Sequence, residues 1–323
     1  MKRIISIIAS AALMMTTLCS CSNGADNGKK KIVTTIFPEY DWVMNILGDK
    51  ADDFEVTLLL DNGTDLHSYQ PSVEDLAKIH ECDMFIYVGG ESDAWVSDAL
   101  SQSVNKDMIV IDLLDELGNR VVEEEVIEGM QAEDEEEEEE EEEGPEYDEH
   151  VWLSLRNAYE LCEDITDGII RIDPDNAEIY ADNMKEYQAK LLSLDQQYVE
   201  TVDNAVFDTL VFGDRFPFRY LVDDYGLDYY AAFVGCSAES EASFETVIFL
   251  AEKVDALGVG HIMTIEGNNT GIAESVRDNT LNKDQEILEL DSMQSVTSAD
   301  IENGADYLSI MSDNLNVLQS ALN

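Results

Sequence analysis

The chain has only four histidines, so each can be weighed singly. His67 lies in Gly63-Thr64-Asp65-Leu66-His67-Ser68-Tyr69-Gln70-Pro71-Ser72, a polar turn between an apolar run ending at Leu60 and a helical pattern that Ser72 can cap. That puts an imidazole at the carboxyl end of a strand, where open α/β sheets bind their ligands. His150 follows a run of acids and precedes Val151-Trp152-Leu153, again at a loop-to-helix junction. His80 sits in a helical stripe beside Ile79, and His261 opens a strand pattern; both read as packing or half-exposed residues. Asp214 ends Leu210-Val211-Phe212-Gly213 and Asp291 ends Ile287-Leu288-Glu289-Leu290, so both also project from strand ends. Each acid taken alone suits a helix cap or a loop equally well. Together, two imidazoles and two carboxylates make a set for one first-row divalent ion. Imidazole suits Zn2+ and added carboxylate moves preference toward Mn2+ or Fe2+, while the affinity order favours zinc over manganese. The ligands must be unprotonated, so binding is expected to weaken as pH falls through the histidine range.

The elements that must position these side chains are legible as short β-branched runs at 32–37, 54–60, 84–88, 108–113, 210–212, 261–265 and 287–290, several separated by amphipathic helical patterns. That alternation predicts α/β lobes with mostly parallel sheets. The middle of the chain differs. Asp173-Pro174 is a helix start, and Tyr180, Met184, Tyr187, Leu191, Leu194 and Tyr198 then recur three or four apart. A helix over 173–203 would run roughly 40 Å, enough to join two lobes, 32–172 and 204–323.

Met1-Lys2-Arg3, an apolar run to Met15 and then Leu18-Cys19-Ser20-Cys21 have the order of a signal peptide over 1–21. The run is shorter than the roughly 20 residues that span a bilayer. Small residues just before Cys21 resemble the bacterial lipobox, which implies lipid on the Cys21 thiol, a membrane-anchored protein outside the cytoplasm, and a polar tether over 22–31.

The formal net charge is -53, which repels nucleic acid and concentrates cations. Between Glu123 and Glu149 lie 18 acidic residues, including an unbroken run from Glu135 to Glu143. Such repulsion predicts a disordered loop, either an inert spacer or a weak cation trap beside His150. A surface cation buffer or adhesin built on that loop is one alternative function. Beyond the anchor, Cys82, Cys162 and Cys236 have no CxxC spacing, so neither a disulfide framework nor a cysteine zinc site is expected. A zinc hydrolase is a second alternative, because two His and an Asp with an open position can activate water. Against it, the chain carries no HExxH and no Gly-x-Ser-x-Gly turn, and no enzyme is expected.

The His67 turn, Gly89-Gly90-Glu91-Ser92-Asp93-Ala94-Trp95, His150-Val151-Trp152-Leu153-Ser154, Asp173-Pro174, Tyr225-Gly226-Leu227 and Leu290-Asp291-Ser292 occur in one order. In that order they resemble the cluster A-I metal-binding receptors of bacterial ABC importers. The resemblance covers nearly all of the chain after the tether. It implies two α/β lobes joined by a long helix with the metal cleft between them, delivery to a membrane permease, and His67, His150 and Asp291 as metal ligands; a monomer is expected, and a helix bridging the lobes predicts limited closure. It also exposes a departure. Ungapped counting back from Tyr225 aligns Phe218 and Tyr220 with the family's aromatics and puts Arg215 where a third ligand belongs, yet arginine has no lone pair to give. Either Asp214 turns in instead, with Arg215 pairing a carboxylate, or three protein ligands and a water suffice; a plain Asp214–Arg215 ion pair is the remaining alternative.

Overall fold

The computed structural model describes residues 28–131, 146–237, 241–267 and 269–323. The signal peptide, Cys21, the tether up to residue 27 and the acidic run 132–145 lie outside the described residues.

The first lobe is built on four parallel strands, β1 (Lys30–Thr34), β2 (Phe54–Leu58), β3 (Met84–Tyr87) and β4 (Ile109–Asp112), in the order β2-β1-β3-β4. Parallel strands need crossovers, supplied here by helices Phe37–Leu47, Val73–Glu81 and Val96–Ser101. Ser72 caps the second of these by accepting the Asp75 N–H, and Asp75 returns the bond to the Ser72 N–H, a reciprocal cap legible in the sequence. The chain leaves β1 for one neighbour and later returns to the other, so the β1/β3 junction is a topological switch point that opens a crevice at the strands' carboxyl ends.

In the second lobe, β5 (Thr209–Val211), β6 (Arg215–Phe216), β7 (Asp228–Tyr230), β8 (Phe233–Val234), β9 (His261–Ile265) and β10 (Glu286–Leu290) pair in parallel as β5-β7, β6-β8 and β10-β9. A bridge between Phe212 and Met263 joins the first and last of these pairs. Helices Phe244–Leu257 and Gly271–Asn279 cover a separate apolar cluster around Leu250, Ile262 and Val276.

A single turn at Pro174–Asn176 leads into the long helix Ala177–Asp203. Its inward stripe is Tyr180, Tyr187, Gln188, Leu191, Leu194 and Tyr198. The stripe meets helices from both lobes: the Tyr187 hydroxyl donates to Asp41 at 3.2 Å, and the Tyr198 hydroxyl donates to the Met311 carbonyl at 2.6 Å. Asp173 does not cap backbone N–H groups, because its carboxylate instead accepts the Tyr180 hydroxyl and the Asn176 amide. The main apolar core is continuous from Ile32 through Tyr198 to Leu318, so the long helix ties the lobes through packed side chains.

The expectation of a disordered loop over 123–149 needs correction at both flanks. Glu123 bridges Tyr147, the Glu124 N–H reaches the Glu146 carbonyl, and the Asp148 N–H reaches the Val122 carbonyl. Toward the second lobe, Glu125 pairs with Arg219, Glu128 with Lys253, and the Gln131 N–H donates to the Ala232 carbonyl. Like-charge repulsion loses here because these acids are spread along a bridge that meets cations and backbone donors on the other lobe.

Candidate metal centre

His67 is presented by a turn of 3-10 helix, Leu66–Ser68, just beyond β2. Asp65 starts that turn by accepting the His67 N–H at 3.0 Å, while Leu66 anchors it in the core. The His67 ring places Nδ1 at 2.8 Å from the Ser92 hydroxyl. Ser92 is itself held, its N–H donating to Glu149 Oε1 at 2.9 Å. Gly90 allows this approach: at φ +79° it occupies a conformation that suits glycine, and a side chain there would run into the Glu149 carboxylate.

His150 is wholly buried. Its N–H and its Nδ1 both lie on Asp148 Oδ1, at 2.9 and 3.0 Å. The Tyr220 hydroxyl donates to the Asp148 carbonyl at 2.7 Å, so a second-lobe aromatic helps fix the segment. Beyond His150 a turn at Val151–Leu153 buries Trp152, whose indole N–H reaches the Ser292 carbonyl at 2.8 Å.

The two imidazoles meet with Nε2 to Nε2 at 3.2 Å. In the tautomers in which Nδ1 donates to Asp148 in one ring and to Ser92 in the other, both facing Nε2 atoms offer lone pairs that one cation can take up together. Burial, reinforced by His150, pulls the His67 pKa down to about 3, so this ring stays neutral. A neutral ring is the state that ligates.

A third donor joins them. Cys236 Sγ lies with the two histidines in a group whose ligand atoms are all within 4.8 Å of one another. Cys236 follows β8 on the second lobe, and its N–H donates to Glu124 Oε1 at 3.2 Å. Burial, and then the charges of Glu124, Asp148 and Glu149, push its thiol well above the ordinary range. Gly235 brings the loop close: a Cβ there would lie 2.9 Å from His150 Cε1 and from the Phe216 carbonyl. A cleft of about 460 Å³ reaches the site, lined by His67, Ser92, Glu124, Glu149 and Cys236 among others. Nothing in the sequence flagged Cys236, because one cysteine far from both histidines forms no spacing pattern.

The two second-lobe acids expected at the ion, Asp214 and Asp291, each accept backbone N–H groups. Asp214 Oδ1 accepts the Arg215 N–H at 2.9 Å and Oδ2 the Ile265 N–H at 3.3 Å. Asp291 Oδ1 accepts the Met293 N–H at 2.7 Å, and burial together with Glu266 raises its pKa to about 7. Among the described residues, the donor group within 4.8 Å that contains both histidines is completed by Cys236 and not by either acid. Arg215 pairs with a carboxylate, but that partner is Asp65 of the first lobe rather than Asp214.

A family model described as zinc-uptake complex component A, periplasmic (ZnuA), matches residues 32–321. The chain is 32% identical over 321 residues to the zinc-binding lipoprotein AdcA of Streptococcus pneumoniae, covering 99% of this chain and 61% of that protein. It therefore spans about three fifths of the length of that relative. It is 29% identical to the high-affinity zinc uptake system protein ZnuA of Bacillus subtilis, covering 98% of this chain and 96% of that one. Among solved structures, the Zn(II)-bound ZnuA-like domain of S. pneumoniae AdcA superimposes with a TM-score of 0.69 at 30% identity, covering 91% of this chain and 99% of that domain.

Proposed function

The chain belongs to the zinc-uptake complex component A family, and on that premise we propose that it is an extracytoplasmic receptor that captures Zn2+ between its lobes and delivers it to an ABC permease. The observation that carries the reading is the facing pair of imidazole Nε2 atoms, 3.2 Å apart, one from a strand end and one from a loop-to-helix junction. Both rings are oriented through Nδ1 by other groups, as metal-binding histidines are. Relatives named for zinc binding and zinc uptake support the choice of ion.

His67 and His150 are the first-lobe ligands in this proposal. Asp214 accepts backbone N–H groups through both carboxylate oxygens and Asp291 through Oδ1, and neither is assigned to the ion in this proposal. The long helix packed against both lobes restricts their relative motion, so capture involves limited closure and release requires the permease to part the ligands. Anchoring through lipid on Cys21 keeps the receptor beside that permease. The reading is of a binding protein and assigns no catalytic step.

Calorimetry on the full-length, metal-free chain tests the proposal. One tight zinc site is expected, and it should vanish in His67→Ala/His150→Ala. No tight site in the unaltered chain, or tight binding that survives the double substitution, overturns it.

A further inference from the structure

We propose that Cys236 is a metal ligand, so that the ion is held by two imidazoles and one thiolate. The proposal deepens the receptor reading and rests on it. Three observations converge. The Cys236 sulfur, His67 and His150 offer donor atoms all within 4.8 Å of one another, which is close enough for a single ion to bind all three. Gly235 packs so closely on the His150 ring and the Phe216 carbonyl that the loop carrying Cys236 is held in place. Glu149 Oε2, with its residue only 2% exposed, has no hydrogen-bond partner and lies 3.6 Å from His67 Nδ1 on the wall it shares with Cys236. A buried carboxylate oxygen with no hydrogen bond, on the same wall as these donors, supplies negative charge that a bound cation would balance.

The substitution at Arg215 fits the same picture. Its guanidinium is committed to Asp65 and offers no lone pair, and the loop after β8 brings a second-lobe donor, Cys236, two residues beyond Val234. The chemical consequence is selectivity. Thiolate sulfur prefers zinc and softer ions, whereas manganese prefers oxygen donors, so this shell discriminates against manganese more strongly than imidazole and carboxylate would. On binding, the sulfur forms its bond to the ion and the thiol proton passes to solvent. Glu149 and Glu124 then balance the ion's charge from behind.

Cobalt reports the sulfur directly. The full-length chain, reduced and freed of metal, is titrated with Co2+ and then Zn2+, and near-ultraviolet absorption is read for thiolate-to-cobalt charge transfer. The expected result is one equivalent of Co2+ with an intense charge-transfer band that Zn2+ abolishes. The band should be lost in Cys236→Ser and kept in Cys82→Ser and Cys162→Ser. Zinc affinity in Cys236→Ser should fall by more than the roughly 10–100-fold typical of losing a partner that only supports a ligand. X-ray absorption of the unaltered zinc-loaded chain needs no variant, and should show one sulfur at about 2.3 Å. Tight one-to-one binding with neither a charge-transfer band nor a sulfur neighbour overturns the thiolate and leaves the receptor intact. Absence of any stoichiometric binding overturns both.

Discussion

Arg215 of the second lobe pairs with Asp65 of the first, and Asp65 simultaneously accepts the N–H of His67. One carboxylate thus joins an interlobe ion pair to the turn that aims the His67 ring. Burial, the largest single influence, would raise the Asp65 pKa, but the Arg215 and His67 charges and the hydrogen bonds from both residues together outweigh it and hold the carboxyl below its ordinary range. Removing the guanidinium with Arg215→Ala should therefore cost on the order of 1–2 kcal/mol of stability, given the partial exposure of both side chains. It should also weaken zinc binding, because the His67 turn loses its brace. Urea midpoints of the metal-free protein and zinc calorimetry read the two effects. An Asp65→Ala/Arg215→Ala chain no more stable than the sum of the single losses predicts would show that the pair is uncoupled.

Gly235 tests how tightly the second-lobe loop is seated. A methyl group there would come within 2.9 Å of the Phe216 carbonyl as well as the His150 ring, and a backbone oxygen cannot swing aside as a flexible side chain can. Gly235→Ala should destabilise by about 1–3 kcal/mol and displace His150 from its partner ring. Zinc affinity should fall with it. A variant with unchanged melting temperature and affinity would mean that the loop is loosely placed.

Much of this architecture was open to reading from the chain alone. The β-branched runs marked the strands because buried parallel strands demand them, and the Ser72 cap and the tyrosine-leucine stripe after Pro174 marked helices whose periodicity packing preserves. His67 and His150 stood out because polar turns at strand ends have few other uses for a histidine. Asp214 and Asp291 do stand at strand ends, but sequence position does not say which way a carboxylate turns; backbone N–H groups bond both oxygens of Asp214 and Oδ1 of Asp291. Cys236 was invisible for a different reason. It meets the histidines only through folding of two lobes, so no local spacing records the contact. The flanks of the acidic tract were misread because their partners, Arg219 and Lys253, lie far along the chain.

Glu39 gives a pH signature independent of the metal. Its carboxyl is fully buried at the start of helix Phe37–Leu47, accepting the Thr35 N–H at 2.7 Å, and burial followed by the charge of Asp93 raises its pKa to about 8. The folded protein therefore holds this proton more tightly than the unfolded chain, whose carboxyl has the ordinary value near 4.5. Where the native state binds more protons, stability falls as pH rises. This contribution is full below about 4.5 and is lost as pH rises toward about 8. Glu39→Gln, which mimics the protonated acid, should flatten the decline. Chemical denaturation at pH 5 and pH 8 in the presence of chelator measures it, and equal slopes in the two proteins would refute the assignment.

Asp148 offers the sharpest separation of orientation from ligation. Its Oδ1 receives both the backbone N–H and the Nδ1 of His150, so it fixes the main chain and the ring together without touching the proposed ion position. A carboxylate on Nδ1 also makes the opposite nitrogen a better donor to a cation. Asp148→Asn keeps an oxygen that can accept from the ring and removes the charge. Binding of one zinc should persist, with affinity reduced roughly 10–100-fold and little change in the melting temperature of the metal-free protein. His150→Ala should by contrast abolish the tight site. Calorimetry on the two variants side by side distinguishes the roles: equal loss in both would make Asp148 as essential as a ligand, and no loss in Asp148→Asn would leave it a structural acid alone.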